Sequence, residues 1–275
     1  LYLKITDDQQ KAFGIELLKR INNYFVSNDI SRKGNLSLVV KGIIVFAVLL
    51  VPYYIFITQD LPYWQFFLLY ILHTFGQVLV AFNIGHDANH NALSNNKLVN
   101  TLGYFTYDLV GVNSYVWRLM HTRGHHPHIN IPDLDHSIMG RKLFRFSPDQ
   151  VREKYHKWQH IYVFLFYGLV TIDYVFVRDF VILFHKNNPF FKGMKHPFKE
   201  YVFLIGAKLF YLGYTLILPI LLLDISWYLI VLPFIVGHFI GGSLMAFIFQ
   251  TTHTVEDTYY PKKKKDFDHF LVHIF

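Results

Sequence analysis

The chain has 275 residues, of which 53% are hydrophobic and 19% aromatic, and its mean hydropathy is +0.27. This composition is too apolar for a soluble domain of the same length and indicates a membrane protein. The absence of cysteine excludes disulfide bonds and thiolate metal ligands, and the net charge of +7 accompanies no nucleic-acid recognition motif.

Four apolar segments are each long enough to cross the hydrocarbon core of a bilayer as a helix, which takes about 20 residues. In chain order they cover residues 36–58, 61–84, 200–223 and 225–253. The first segment is connected to the second by the short stretch TQDLP, and the third to the fourth by LDIS. We therefore predict an all-α integral membrane protein with four transmembrane helices in two hairpins, forming one domain over residues 1–275.

The positive charges predict the orientation. Of the 26 Lys and Arg residues, only Lys41 and Lys208 lie within the four apolar segments. By the positive-inside rule, both termini and the long segment 85–199 are expected to be cytoplasmic. The membrane is a bacterial inner membrane or the endoplasmic reticulum, a choice that the sequence leaves open.

Segment 85–199 is expected to form a cytoplasmic helical cap. It contains an apolar stretch at about residues 159–184, which Asp173, Arg178 and Asp179 interrupt. These charges favour a helix that lies in the membrane interface over a fifth transmembrane helix.

Two clusters of histidines follow the second apolar segment. His86 and His90 lie in GHDANH, and His121, His125 and His126 lie in HTRGHH. In an α-helix, residues four apart lie on the same face, so each i, i+4 pair can bind one metal ion. His126 would project about 100° away from His125 and could bind a second ion. The spacing thus predicts a site for two metals.

The other histidines before the last apolar segment ends are expected to be structural or surface residues rather than metal ligands, with the exception of His253. His73 and His238, each alone in an apolar helix, are expected to be hydrogen-bonded structural residues. Six histidines in polar sequence are expected to be ordinary surface residues: His128, His136, His156, His160, His185 and His196.

These motifs, with IPDLDH and QTTHTVED, resemble the membrane fatty acyl desaturases, specifically the branch of linoleoyl-CoA and front-end enzymes. The resemblance covers nearly all of residues 40–275. It implies a non-haem di-iron centre that uses O2 and two electrons to remove two hydrogens from an acyl chain linked to CoA or lipid. Its electron donor would be cytochrome b5 or ferredoxin, supplied by a reductase.

The resemblance also implies the site residues. The metal ligands would be the five box histidines and His253, which completes the shell of the second iron. Residues that would orient the ligands are Asp87, Asn89, Asp108, Gln250, Asn130, Asp133 and Asp135. Candidate substrate-binding residues are Trp117, Arg118 and Arg123.

The third histidine box of this family, (H/Q)xxHH, is missing from the sequence. After HTVED, only His269 and His273 are present before Phe275. We therefore expect the C-terminal part to be incomplete and the 275-residue chain alone to be inactive, with at most about one bound metal ion.

Other classes of metalloprotein fit the sequence less well or remain open. A zinc protease of the HExxH type needs glutamate where this chain has Asp87. A haem protein would need its histidines on facing transmembrane helices. A di-iron hydroxylase or ketolase, and a zinc-dependent intramembrane hydrolase, remain alternatives. A non-catalytic scaffold would be the interpretation if the protein bound no metal.

Overall fold

The computed structural model describes residues 8–132, 134–135, 138, 142–185, 191, 193–253, 255, 258 and 260. These residues form helices and connecting segments, and no strand occurs among them. The chain divides into two compact units. Unit 1 comprises residues 1–32, 118–161 and 249–275, and unit 2 comprises residues 33–117 and 162–248.

Within the described residues, four helical segments are long and apolar enough to cross a membrane. They are Leu36–Thr58, Tyr63–Asn89, Phe198–Leu222 and Trp227–Thr252. Their number and approximate positions confirm the prediction of four candidate membrane helices.

The individual helices are bounded as follows, with π-helical and 3-10 stretches named by their residues. The α-helices before the second histidine box are α1 (Asp8–Ser27), α2 (Leu36–Thr58), α3 (Tyr63–Val80), α4 (His86–Asn89), α5 (Lys97–Tyr104), α6 (Thr106–Leu109) and α7 (Ser114–Arg118). Those after it are α8 (Gln159–Gly168), α9 (Val170–Asp173), α10 (Asp179–Phe184), α11 (Phe198–Leu212), α12 (Leu218–Leu222) and α13 (Trp227–His253).

Helix α2 has the bounds that the sequence predicts. It begins where the Asn35 side chain accepts a hydrogen bond from the backbone N–H of Leu38 at 3.2 Å. This cap satisfies one of the backbone donors that have no partner inside a helix. Pro52 lies within the helix without ending it.

The second membrane helix extends further than its apolar sequence. The apolar run ends at Ile84, whereas the helical segment continues to Asn89 through a π-helical turn at Ala81–Gly85. Backbone hydrogen bonds do not depend on side-chain polarity, so the helix carries the first histidine box on its own last turns.

The apolar stretch at 159–184 forms a broken helix. Segments Lys154–Gly168 and Val170–Phe184 meet at a bend of 49°, and together they have the length and hydropathy of a fifth membrane span. Our prediction of an interfacial helix therefore stays a prediction.

Close backbone contact joins α2 and α3 in unit 2. A Cβ atom at Gly76 would lie 2.6 Å from the backbone of Leu49, so only glycine permits this approach. Around it, seven buried side chains form an apolar and aromatic core: Phe56, Phe66, Tyr70, Val175, Tyr211, Ile230 and Phe234.

A chain of polar side chains crosses this core. His73 donates from Nδ1 to the carbonyl of Leu49 at 2.7 Å, and its Nε2 lies 2.9 Å from the Gln77 amide nitrogen. The hydroxyl of Tyr211 donates to Oε1 of Gln77 at 3.0 Å and lies 2.8 Å from Nε2 of His238. The prediction that His73 and His238 are hydrogen-bonded structural residues is confirmed.

Candidate metal centre

The first histidine box lies in unit 2, directly after the π-helical turn at Ala81–Gly85. A π-turn holds one residue more than an α-turn and is frequent at functional sites. The imidazole rings of His86 and His90 lie 4.9 Å apart between centroids, and the side chain of His86 is 36% exposed. The two rings are close enough to share one metal ion.

Neighbouring side chains orient His86. Its Nδ1 lies 3.2 Å from Oδ1 of Asp87, and its ring meets that of Trp117 edge to face at 5.9 Å. Trp117 is buried and stacks on Tyr107 with centroids 4.3 Å apart. When Nδ1 donates to the carboxylate, Nε2 keeps the lone pair that binds a metal.

The second box lies in unit 1 and differs from the predicted α-helix. Residues Leu119–His125 are π-helical, and the backbone N–H of His126 bonds to the carbonyl of His121. In this geometry residues five apart lie on the same face. Nε2 of His121 and Nε2 of His126 are accordingly 3.0 Å apart, whereas the rings of His121 and His125 are 5.9 Å apart.

The expectation that His126 projects away from the other histidines of the box is therefore wrong, since its Nε2 lies 3.0 Å from Nε2 of His121. Two nitrogens about 2.1 Å from one metal ion and at right angles to each other lie about 3 Å apart. This nitrogen pair fits a shared octahedral ion.

His125 is buried and held by a carboxylate. Its Nδ1 donates to Oδ1 of Asp135 at 2.9 Å, and the two side chains are 3% and 0% exposed. The second oxygen of Asp135 accepts the backbone N–H of Asn130 at 2.9 Å, and Asn130 has a φ of 57°. Asp135 thus fixes both the His125 ring and the turn that follows the box.

His128 is not the surface residue that its polar sequence suggests. It is buried, and its Nδ1 lies 3.1 Å from the carbonyl of Gly124. The 3-10 turn at His126–His128, which contains Pro127, directs it back toward the box. The expectation for His160 and His185 is met, since both are exposed.

The other candidate site residues differ in how far they are exposed. Asn89 is buried, Gln250 is half-buried near the end of α13, and Arg118 and Arg123 are exposed. Asp133, His269, His273 and the side chain of His253 lie outside the described residues.

The sequence indicated Asp108 as a polar residue near the boxes, but it did not predict the buried polar cluster to which Asp108 belongs. Asp108 accepts hydrogen bonds from Asn113 Nδ2 and from the backbone N–H of Ser114, both at 3.2 Å. Asp179 accepts the backbone N–H of Asn113 at 2.7 Å and pairs with Lys208 at 2.6 Å. The available signal was Lys208 itself, the one Lys or Arg in the apolar segment 200–223.

Burial is the main cause that raises the pKa of Asp108, from its ordinary 3.8 to about 7. The nearby carboxylate of Asp179 raises the pKa further, while hydrogen bonds from Ser114 and the charge of Lys208 lower it. Asp108 therefore lies close to half-protonation near neutral pH.

Four candidate membrane helices, with carboxylates that can orient histidines of both boxes, have the features of a membrane protein with a histidine-ligated metal site. Comparison with known proteins identifies the family. Residues 32–269 match the model of the fatty acid desaturase family. The chain belongs to the fatty acid desaturase family, which confirms the resemblance stated from its histidine boxes.

Its relatives include lipid desaturases. The chain is 27% identical over 263 residues to an acyl-lipid (8-3)-desaturase of Physcomitrium patens, covering 94% of this chain and 54% of the relative. It is 29% identical over 257 residues to an sn-1 linoleoyl-lipid 6-desaturase of Synechocystis sp., covering 93% and 71%. A protein of the same name from Arthrospira platensis is 30% identical over 217 residues, covering 79% and 59%. The chain thus spans about half the length of the Physcomitrium patens protein. No solved structure matches this chain.

Proposed function

We propose that this chain is the catalytic region of an O2-dependent di-iron fatty acyl desaturase that introduces a double bond into a lipid-linked acyl chain. The observation that carries the proposal is the pair of imidazole nitrogens 3.0 Å apart in a box that family membership associates with desaturation. The names of the relatives favour a lipid-linked over a CoA-linked substrate.

The ligands of the two irons would be His86, His90, His121, His125, His126 and His253. Neutral imidazole suits iron, and the absence of thiolates leaves nitrogen and oxygen as the available donors. When bound, the irons would supply the activation of O2 that removal of two hydrogens from an unactivated carbon chain requires.

The protein's own residues would orient the ligands and limit the access of water. Asp87 and Asp135 would each accept a hydrogen bond from the Nδ1–H of a histidine and leave its Nε2 available for a metal. Trp117 and Tyr107, both buried and stacked, form an apolar wall beside His86. Such a wall excludes water from a reactive centre.

The remaining partners follow from the same proposal. Two electrons per turnover would come from cytochrome b5 or a ferredoxin with its reductase. Both termini and segment 85–199 would face the cytoplasm, and residues 1–275 would belong to one desaturase domain. Asn89, Asn130, Asp133 and Gln250 remain candidates for orienting ligands, and Trp117, Arg118 and Arg123 for contacting substrate.

The test is metal analysis of the full-length protein together with single His-to-Ala variants. Replacement of His86, His90, His121, His125 or His126 should abolish desaturation and lower the bound iron from about two per chain, because the iron that this histidine binds then lacks a ligand. The matched control is His185→Ala, since His185 is exposed. Zinc in place of iron, or full activity of the His121→Ala variant, would contradict the proposal.

A further inference from the structure

The corner at residues 111–114 connects α6 to α7 in unit 2 and is held entirely by buried groups. Gly111 has a φ of 82°, and a Cβ atom there would lie 2.7 Å from the ring of Tyr211. The corner therefore depends on glycine and on contact with α11. Asn113 and Ser114 are each 1% exposed.

Lys208 of α11 binds this corner. Its Nζ donates to the carbonyl of Gly111 at 2.7 Å, to the carbonyl of Tyr174 at 2.8 Å and to Oδ2 of Asp179 at 2.6 Å. All three donor positions of the ammonium group are thereby used. Tyr174 begins a π-helical turn, where a backbone carbonyl is more easily left free for such a bond.

Asp179 completes the connection. The same Oδ2 atom that meets Lys208 accepts the backbone N–H of Asn113 at 2.7 Å. Asn113 then caps α7, because its Oδ1 accepts the N–H of Val116 at 2.9 Å and its carbonyl accepts the N–H of Trp117, also at 2.9 Å. The ion pair is thus connected by hydrogen bonds to the first turn of α7.

Helix α7 carries a residue of the candidate metal centre. Trp117 lies on it and contacts the ring of His86 within unit 2. A shift in the start of α7 would therefore move the wall beside the first box.

We propose that Lys208 and Asp179 form a buried clamp that positions α7, and with it Trp117 beside the first histidine box, for metal binding. This inference rests on the proposed function. Both residues act as positioning residues through Asn113, whose backbone N–H bonds to Asp179. Asp108 supports the same corner from its other side through Asn113 Nδ2 and the N–H of Ser114.

Charge balance favours this role over a site for a mobile ion. The charges of Lys208 and Asp179 balance each other. Burial raises the pKa of Asp108 to about 7, so this carboxyl group carries less than a full charge near neutral pH. The charged groups that act on Asp108 are Asp179, which begins α10, and Lys208 of α11. A buried, hydrogen-bonded cluster of this kind is suited to hold a backbone corner in one conformation.

The experiment compares the full-length wild type with the double variant Lys208→Met/Asp179→Val. Removing both charges avoids the unpaired buried charge that a single replacement would leave, so the double variant is expected to fold. The matched control is Thr215→Val, because Thr215 is also buried and follows the same helix, but its hydroxyl donates to the carbonyl of Tyr211 at 2.7 Å rather than to the corner.

Two measurements are needed. The first is hydrogen exchange of the peptide that covers residues 110–118, which reports on the corner without any metal. The second is titration of the metal-free protein with Co²⁺, whose visible absorption reports on the nitrogen ligands. In the double variant, exchange should be faster by about tenfold or more. Its affinity for Co²⁺ should fall by about tenfold to hundredfold. The Thr215→Val variant should match the wild type in both.

The outcomes separate the clamp from the proposed function. Faster exchange with weaker Co²⁺ binding, in the double variant alone, supports the clamp. Equal Co²⁺ affinity in the wild type and the double variant overturns it. Failure of the wild type to bind Co²⁺ overturns the proposed metal centre itself, whatever the exchange rates of the corner.

Discussion

At the scale of single residues, the best-defined feature of the candidate centre is the buried pair of His125 and Asp135. The carboxylate accepts a hydrogen bond from Nδ1–H of His125, with nitrogen and oxygen 2.9 Å apart, and a second one from the backbone N–H of Asn130. An ionised partner at this distance fixes the tautomer and increases the basicity of the opposite ring nitrogen. Asp135 should therefore contribute to metal affinity without being a ligand.

We predict that Asp135→Asn lowers the affinity for iron by about tenfold to hundredfold, because the amide lacks the charge that supports the ring. Isothermal titration of the metal-free protein measures this change. Asp29→Asn is the control, since Asp29 is exposed and its φ of 52° is a conformation that asparagine also adopts. An unchanged affinity in the Asp135 variant would remove this residue from the centre.

Asp108 makes the stability of the fold depend on pH. Its pKa is about 7 in the folded protein and 3.8 ordinarily, so the folded state binds more protons between these values. The free energy of unfolding should therefore fall as pH rises from about 4 to about 7.

We predict that Asp108→Asn, which stays neutral at every pH, removes much of this decline. Thermal unfolding in detergent at several pH values measures it. The exposed Asp60→Asn variant should retain the wild-type dependence. A wild-type slope in the Asp108 variant would show that another group is responsible.

Spacing alone identified which histidines are candidates, yet it did not give their pairing. The i, i+4 rule assumes α-helical turns, whereas the second box is π-helical and brings His121 and His126 together. A π-turn depends on the packing of its surroundings, which local sequence does not record. The burial of His128 was missed for the same reason, because the turn at Pro127 determines its direction.

At the scale of helices, apolar length predicted the membrane segments well. The bounds of α2 agree fully with the prediction, whereas the second segment runs to Asn89 rather than residue 84. Hydropathy gives the length of an apolar stretch. It does not give the end of a helix that continues into polar sequence. The chain of hydrogen bonds through His73, Gln77 and Tyr211 was not predictable, because its members are up to 138 residues apart, as between Tyr211 and His73.

The contact of α2 with α3 gives a prediction at this scale. Gly76→Ala should lower the thermal midpoint by several degrees, because the added methyl group would lie 2.6 Å from the backbone of Leu49 and must separate the two helices. Gly206→Ala is the matched control, since a Cβ atom there meets nothing within 4 Å. It should leave the midpoint unchanged or raise it, as alanine favours a helix by about 1 kcal/mol over glycine. Equal midpoints in both variants would contradict the packing.

At the scale of the whole molecule, the distribution of positive charge predicts how the chain is oriented in the bilayer. The four apolar segments 36–58, 61–84, 200–223 and 225–253 contain only Lys41 and Lys208 among the Lys and Arg residues, and Lys208 pairs with Asp179. The connections between the first two and the last two apolar segments carry no Lys or Arg. Those connections are therefore expected on the side opposite the cytoplasm.

The absence of native cysteine makes this orientation directly testable. Single cysteines at Gln59 and Asp224 should react with a membrane-impermeant maleimide added from outside the cell. A cysteine at Asn28, in the segment before α2, should react only after the membrane is opened. Labelling of the Gln59 variant only from the cytoplasmic side would reverse the proposed topology.

The π-helical turns also matter for how relatives of this chain are aligned. Such turns occur at 81–85, 119–125, 174–178 and 213–217 in the described part of the chain. Each one accommodates a single inserted residue without breaking the helix, so it can be gained or lost by a one-residue insertion or deletion. A homologue that lacks one residue there could present its imidazoles in the same way with a different number of residues between its histidines. Aligning such sequences by gap-free histidine motifs would place structurally equivalent ligands in different columns.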